Sequence, residues 1–216
     1  WGLRRSLIQV IANGVPDLPS PPEQSHARPR TRFAYFGNIA AHKGVLSLLE
    51  ALTTVTTRLP DVRLELHGAI NFQSEDFRRS FDAHLAAAAP FARYHGPYRR
   101  EDLPALMQAI DWVVMPSEWW ENAPLTILEA FRSGRPVITA DDGGMAELVD
   151  DGVNGLHFRF RQSDDLARVM LRAAGNDLLW QRLTTGVPRV PTMREVSERH
   201  LFLYHSLSRH GEANEG

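Results

Sequence analysis

Six short apolar runs, RFAYFG, VRLELHG, FARYHG, WVVMP, PVITA and GLHF, alternate with longer segments of helical character. This alternation limits the fold more than any other feature. Two strands joined by a helix lie parallel, because the crossover carries the chain back before the next strand begins. The first helical segment repeats apolar residues at Val45, Leu48, Leu49, Leu52 and Val55, a period near 3.6. SEDFRRSFDAHLAAAA follows with Ser74 as a cap, then EDLPALMQA. A further helix opens at Pro124 and runs through Arg132 to a stop at Gly134. Short helices are expected near Met145 to Val149 and over SDDLARVMLRAAG, the latter capped by Ser163 with Asp164 and Asp165 behind it. One or two more follow Pro191 and extend through Leu203. The expected fold is therefore α/β: one Rossmann-like open parallel sheet with helices on both faces, and no internal repeat.

Three stretches divide the chain. Residues 1–30 read as a short apolar segment and an extended linker, with five prolines from Pro16 to Pro29. Residues 31–190 carry the alternating pattern, and 191–216 form a helical tail. The sequence opens on Trp1 where a start methionine would stand, so it is expected to be a portion of a longer protein. Its 24 basic and 26 acidic side chains nearly cancel, so no nucleic-acid partner is expected from bulk charge. Without cysteine, disulfide, thiolate and cysteine-metal chemistry are excluded. No run approaches the roughly 20 apolar residues of a membrane span.

In such sheets ligands sit beyond the carboxyl ends of the strands. Four places qualify. In YFGNIAAHKG, Gly37 permits a sharp turn, and Lys43 at the start of a helix is suited to hold an anion such as phosphate. A solvated lysine is the alternative. His67-Gly68 and His95-Gly96 each end a strand and suggest two close backbone approaches. The nine histidines show no metal-ligand spacing, so no bound metal is expected. In SEWWENAPLTILEA, Glu129 lies two turns inside an apolar helix and Glu121 precedes it. Glu129 serves either a salt bridge on the helix surface or a pair of ligand hydroxyls. Trp119 and Trp120 suit stacking on a sugar or base, or packing. Gly143 and Gly144 follow a strand and could offer an anion-binding nest of amides.

Glu121 and Glu129 form the E-x7-E signature, and PSEWWENAPLTILEAFRSGRPVITADDGGMAELVDDGVNGLHF, FGNIAAHKG, IDWVVMPS and IANGVP accompany it. Together these resemble the retaining, group 1 (family 4-like) nucleotide-sugar glycosyltransferases of GT-B fold, over roughly residues 10–175. The resemblance implies the C-terminal, donor-binding half of that fold. It implies Lys43 on the donor diphosphate with Gly37 and Asn38 in the facing loop. It places Glu129 on the ribose hydroxyls, Glu121 near the transferred sugar, and Asn122, Ala123, Pro124 and Leu125 along the pocket. His95 and Gly96 would lie beside the base, and Gly143 and Gly144 near the nucleotide. Lys43 and Glu121 are the implied catalytic residues. The sequence departs from the pattern at Asn38, where many relatives carry arginine; Arg99 or Arg100 is the candidate substitute.

The implied reaction moves a sugar from a UDP- or GDP-sugar to an acceptor hydroxyl with retention, and no cofactor or metal is implied. The acceptor, a carbohydrate or lipid-linked sugar, would be met by an N-terminal domain absent from this sequence. The fragment alone is therefore expected to bind nucleotide and to transfer sugar poorly. The alternatives are a nucleotide or nucleotide-sugar binding module without transferase activity, and an α/β interaction domain. The family's habit implies a cytoplasmic protein, peripheral to the membrane in its full-length form. The tail REVSERHLFLYHSLS is expected to expose an apolar face.

Overall fold

The computed structural model describes residues 8–16 and 29–212. Most of the proline-rich linker, residues 17–28, lies outside the described residues, as do the ends of the chain. The strands are β1 (Arg32–Phe36), β2 (Arg63–His67), β3 (Ala92–Gly96), β4 (Trp112–Met115), β5 (Val137–Ala140) and β6 (Gly155–Phe158). All neighbouring pairs are parallel, in the order β3-β2-β1-β4-β5-β6. The order reverses between β1 and β4, which makes the gap beyond their carboxyl ends the expected ligand crevice.

The helices are α1 (Val45–Thr56), α2 (Glu75–Ala87), α3 (Leu103–Gln108), α4 (Leu125–Arg132), α5 (Gly143–Leu148), α6 (Ser163–Ala173), α7 (Asp177–Thr185) and α8 (Met193–Glu212). Every residue of β4 and β5 is buried. Successive strand residues point to opposite faces, so both faces of the sheet centre are covered. Helix α1 buries Val45, Leu48, Leu49, Leu52 and Val55, the five positions of the sequence period. Ser74 caps α2 by accepting the Phe77 N–H.

Four features differ from expectation. Ser163 is already helical; Gln162 is the N-cap, and the buried Asp165 instead accepts from the Arg159 amide and Arg168. Pro124 is likewise the N-cap of α4, extended at ψ 119°, and Leu125 is the first helical residue. Helix α7 was not expected from the sequence. Its Asn176 cap follows Gly175 immediately, and tertiary burial of Leu179, Trp180 and Leu183 stabilises its nine residues. Trp180 donates to the Asp111 carbonyl and lies under the Arg30 guanidinium, 3.9 Å away. The tail is one helix, α8, reaching Glu212, with Met193, Leu201, Phe202, Tyr204 and Leu207 exposed as expected of an apolar face.

The segment before the linker is tied to the start of α8. Val15 donates to the Pro191 carbonyl and accepts from the Met193 N–H. Thr192 and Glu195 form a reciprocal cap: the Thr192 Oγ1 accepts the Glu195 N–H, and the Glu195 carboxylate accepts the Thr192 N–H. These bonds and Arg189 hold the Glu195 carboxyl down at about 2. A depressed acid contributes stability above its ordinary value near 4.3, and that contribution is lost as pH falls toward about 2. Thr192→Ala is expected to cost about 1 kcal/mol, or roughly 3 °C in Tm at neutral pH. The difference from the parent should narrow on acidification through that window, followed by circular dichroism melts.

Candidate functional site

The crevice is assembled from three chain segments beyond β1 and β4. The first leaves β1 at Gly37, whose φ of 147° lies outside the range of most side chains. The Gly37 and Ile39 amides donate to the His67 and Ala69 carbonyls, so this loop is laced to the end of β2. Gly68 is there because the Gly37 carbonyl passes it; an added Cβ would lie 1.6 Å from that oxygen. Its close approach is therefore to backbone, not to a ligand. Asn38 is exposed, and its carbonyl accepts the Tyr35 hydroxyl at 2.7 Å. A 3-10 turn, Ala41–Lys43, follows, and Gly44 at φ 68° caps α1. Lys43 thus lies just before the helix, not within it.

The second segment leaves β4 through Pro116 and Ser117. Its Glu118 N–H donates to the His42 carbonyl, and Ser47 Oγ donates to the Glu118 carboxylate at 2.6 Å. These bonds bring Glu121 against Lys43, Oε1 to Nζ at 2.5 Å. Ser117 Oγ donates to the same oxygen at 3.0 Å. The pair is partly exposed, with 26% of Lys43 and 15% of Glu121 open to solvent. The lysine is therefore paired in the ligand-free protein, and it remains reachable.

The third segment is α4, begun by Pro124 and opened by Leu125, whose side chain is exposed. The Thr126 hydroxyl reaches the Phe36 carbonyl at 3.4 Å and fixes α4 to the end of β1. Glu129 is 8% exposed. Among the described residues its carboxylate makes no hydrogen bond. Burial raises its pKa, with the nearby Arg100 acting in the opposite sense. The Tyr98 phenol is pushed up to about 12 by burial and by Glu129, which puts Tyr98, Arg100 and Glu129 in one electrostatic group. Arg99 is instead paired with Glu101.

A ring ladder closes the far end. Phe36 stacks on His67 at 5.0 Å and His67 on His95 at 4.6 Å, while Tyr98 meets Phe36 and His67 edge-on. Burial, and then His95, lower the His67 pKa to about 4. His95 is paired with Glu65 at 2.5 Å, and the Gly96 carbonyl accepts the Gly68 N–H. His95 and Gly96 therefore end β3, two strands away from the β1 loop that carries Lys43 and three from the β4 loop that carries Glu121.

Of the two amides in the glycine nest expected at Gly143 and Gly144, one is already spent. Both residues are the first turn of α5, and the Gly144 N–H donates to the Glu121 carbonyl at 2.8 Å. A Cβ at Gly144 would lie 1.8 Å from the Asn122 carbonyl. These glycines let the Glu121–Asn122 backbone lie on α5, a packing duty that a glycine pair does not distinguish from anion binding in sequence. The alternation did not single out Ser117, Tyr98 or Thr126 as site residues. Only Ser117 carried a signal, its place after the strand-ending proline. Trp119 and Trp120 are 63% and 73% exposed, so neither is a core residue.

This sheet order, with a polar crevice at its switch point, defines a Rossmann-type ligand-binding domain. The chain belongs to the glycosyl transferases group 1, whose family pattern matches residues 30–176. It is 26% identical over 201 residues to mannosylfructose-phosphate synthase of Agrobacterium fabrum, covering 85% of this chain and 43% of that protein. The fold matches the C-terminal domain of a group 1 glycosyl transferase, LpcC of Francisella tularensis, at TM-score 0.63 and 24% identity, covering 72% of this chain and 80% of that one. It also matches Anabaena HepE, solved in complex with UDP and glucose, at TM-score 0.70 and 24% identity, covering 83% of this chain and 48% of that one. The chain spans between 29% and 50% of the length of such curated relatives. Among the described residues no helix is long and apolar enough to cross a membrane.

Proposed function

We propose that this chain is the donor-binding half of a retaining glycosyltransferase that uses a nucleoside-diphosphate sugar. One observation carries the reading: Glu129 is a largely buried residue at the wall of the switch-point crevice, and its carboxylate makes no hydrogen bond among the described residues and keeps only a narrow opening to solvent. A buried carboxylate left unbonded costs free energy that a ligand diol can recover by donating two hydrogen bonds. The ribose of a nucleotide supplies such a diol. Lys43 then meets the diphosphate, exchanging its bond to Glu121 for the phosphate oxygens. Glu121 turns to the hydroxyls of the transferred sugar. Arg100, already beside Glu129, is the cation that stands in for the arginine missing at Asn38.

In the transfer the bond from the sugar anomeric carbon to the phosphate oxygen breaks, and a bond from that carbon to the acceptor oxygen forms on the same face. The acceptor proton passes to the leaving phosphate. Lys43 holds the growing charge on that phosphate by a fixed positive potential. UDP is the first nucleotide to test, since HepE is solved with UDP; GDP is the second. The residue divisions 1–30, 31–190 and 191–216, and a second domain that shares in holding the acceptor, belong to the same proposal. Calorimetry with UDP, GDP and their sugars should give binding by this chain and little transfer. Turnover equal to that of a full-length enzyme would overturn the division of labour. No nucleotide binding at millimolar concentration would overturn the donor-site reading.

Glu129→Gln separates function from stability. Replacement should weaken UDP about ten- to hundredfold, because charge-assisted bonds to the ribose are lost. A raised folded-state pKa means the site favours the protonated acid. The associated stability is complete below the ordinary glutamate value and is lost as pH rises through the raised one. The glutamine variant should therefore melt higher than the parent at neutral pH and match it in acid. An equal or lower Tm at neutral pH would show that Glu129 is satisfied in the free protein.

A further inference from the structure

Beside the Lys43–Glu121 pair lies a second feature that the donor reading does not use. Trp119 and Trp120, with Glu118 and Arg161, line a surface cavity of about 180 Å³. It is well below the roughly 300 Å³ at which pockets for drug-sized ligands begin, and its scale suits a single sugar ring. Both indoles are largely solvent-exposed, an unusual state for side chains of this size. Their backbone is nevertheless firmly held. The Glu118 N–H donates to the His42 carbonyl, and the Trp119 N–H donates to Ser117 Oγ. Arg161 Nη2 donates to the Glu118 carbonyl at 3.0 Å from the far side, and the edge of His42 meets the Trp119 ring. Arg161 itself adopts φ 58°, a value uncommon for a residue with a Cβ.

We infer that Trp119 and Trp120 form a carbohydrate platform that seats a pyranose ring of the acceptor beside the donor sugar. The chemistry matches. An indole presents an electron-rich face to the weakly positive C–H face of a sugar ring. The cavity wall is almost wholly apolar, as the C–H face of a sugar ring requires, while the Glu118 carboxylate is held by Ser47 and the Arg161 guanidinium by the Glu118 carbonyl. The platform is continuous with the proposed reaction centre, because Trp120 is bonded directly to Glu121, and a Cβ added at Gly143 would lie 3.7 Å from the Trp120 Cα. The inference rests on the donor reading, since only that reading makes Glu121 the place where an acceptor hydroxyl must arrive.

The test uses this chain labelled with nitrogen-15, saturated with UDP. It is titrated with methyl α-D-glucopyranoside, methyl α-D-mannopyranoside and methyl β-D-galactopyranoside at millimolar concentrations. The expected result is saturable movement of the Trp119 and Trp120 indole N–H resonances by at least one glycoside. Trp119→Ala or Trp120→Ala should weaken that glycoside about tenfold and leave UDP within about twofold. UDP binding without any glycoside response overturns the platform and spares the donor reading. Absence of both sinks the two together. Loss of UDP-glucose affinity but not UDP affinity in the tryptophan variants would assign the platform to the donor sugar and overturn the acceptor assignment.

Discussion

Lys43→Ala should lower the affinity for UDP and for a UDP-sugar about a hundredfold and abolish measurable transfer in a full-length enzyme. The argument begins with charge. In the free protein Lys43 and Glu121 are matched at 2.5 Å, so the crevice is close to neutral at this point. Removing the ammonium leaves Glu121 with the Ser117 hydroxyl alone, and a diphosphate would then meet a carboxylate. Two unit charges about 4 Å apart near a protein surface interact with about 4 kcal/mol. Reversing the sign of that interaction therefore outweighs any hydrogen bond elsewhere in the site. The fold should tolerate the change, because Lys43 lies in a short turn with a quarter of its surface exposed. The double variant Lys43→Ala/Glu121→Gln should recover part of the UDP affinity, since the repulsion is gone, and none of the transfer. Calorimetry on both variants decides it: undiminished UDP binding by Lys43→Ala would remove Lys43 from the diphosphate site.

The largest effect on stability is expected from the next residue. Gly44→Ala should lower Tm by about 10 °C, from a cost of about 3–5 kcal/mol. Two causes add. Gly44 has φ 68°, where a Cβ is strained, and that Cβ would lie 1.9 Å from the Pro116 carbonyl oxygen. Pro116 follows β4 and leads directly into the Glu121 segment, so the clash pries open the switch point itself. Nucleotide binding should fall along with the fold. Gly152→Ala supplies the comparison: its φ is 74°, but a Cβ there meets nothing within 4 Å. Only backbone strain remains, about 1–2 kcal/mol and roughly 3–6 °C. Equal melting of the two variants would mean that the Gly44–Pro116 approach relaxes without cost.

The fold was legible because its signals were local and repeated. The α1 period and the six apolar runs each reflect burial on a defined face, and the structure buries those same residues. What escaped was decided at a distance. Helix α7 depends on Trp180 finding Asp111 and Arg30, partners 69 and 150 positions away in sequence. Asp165 escaped for a nearer reason: it was read as part of a helix cap, yet its carboxylate is drawn to the Arg159 amide and Arg168, six and three positions away. A cap is chosen by whichever partner the tertiary structure brings within reach.

The candidate site divides in the same way. By itself the sequence determined that the glutamates stand eight positions apart across a helix start, that a lysine and glycine precede α1, and that strand ends converge on one edge of the sheet. These follow from spacing, and spacing is fixed once strands and helices form. Only the tertiary structure decided which polar atoms are spent and which remain. It assigned the Gly144 amide to the Glu121 carbonyl, and the Gly68 approach to the Gly37 backbone. It left the largely buried Glu129 without a hydrogen bond to its carboxylate among the described residues, and left the two indoles in solvent. Whether a group is satisfied depends on atoms far away in sequence arriving within about 3 Å, and no local pattern encodes that arrival.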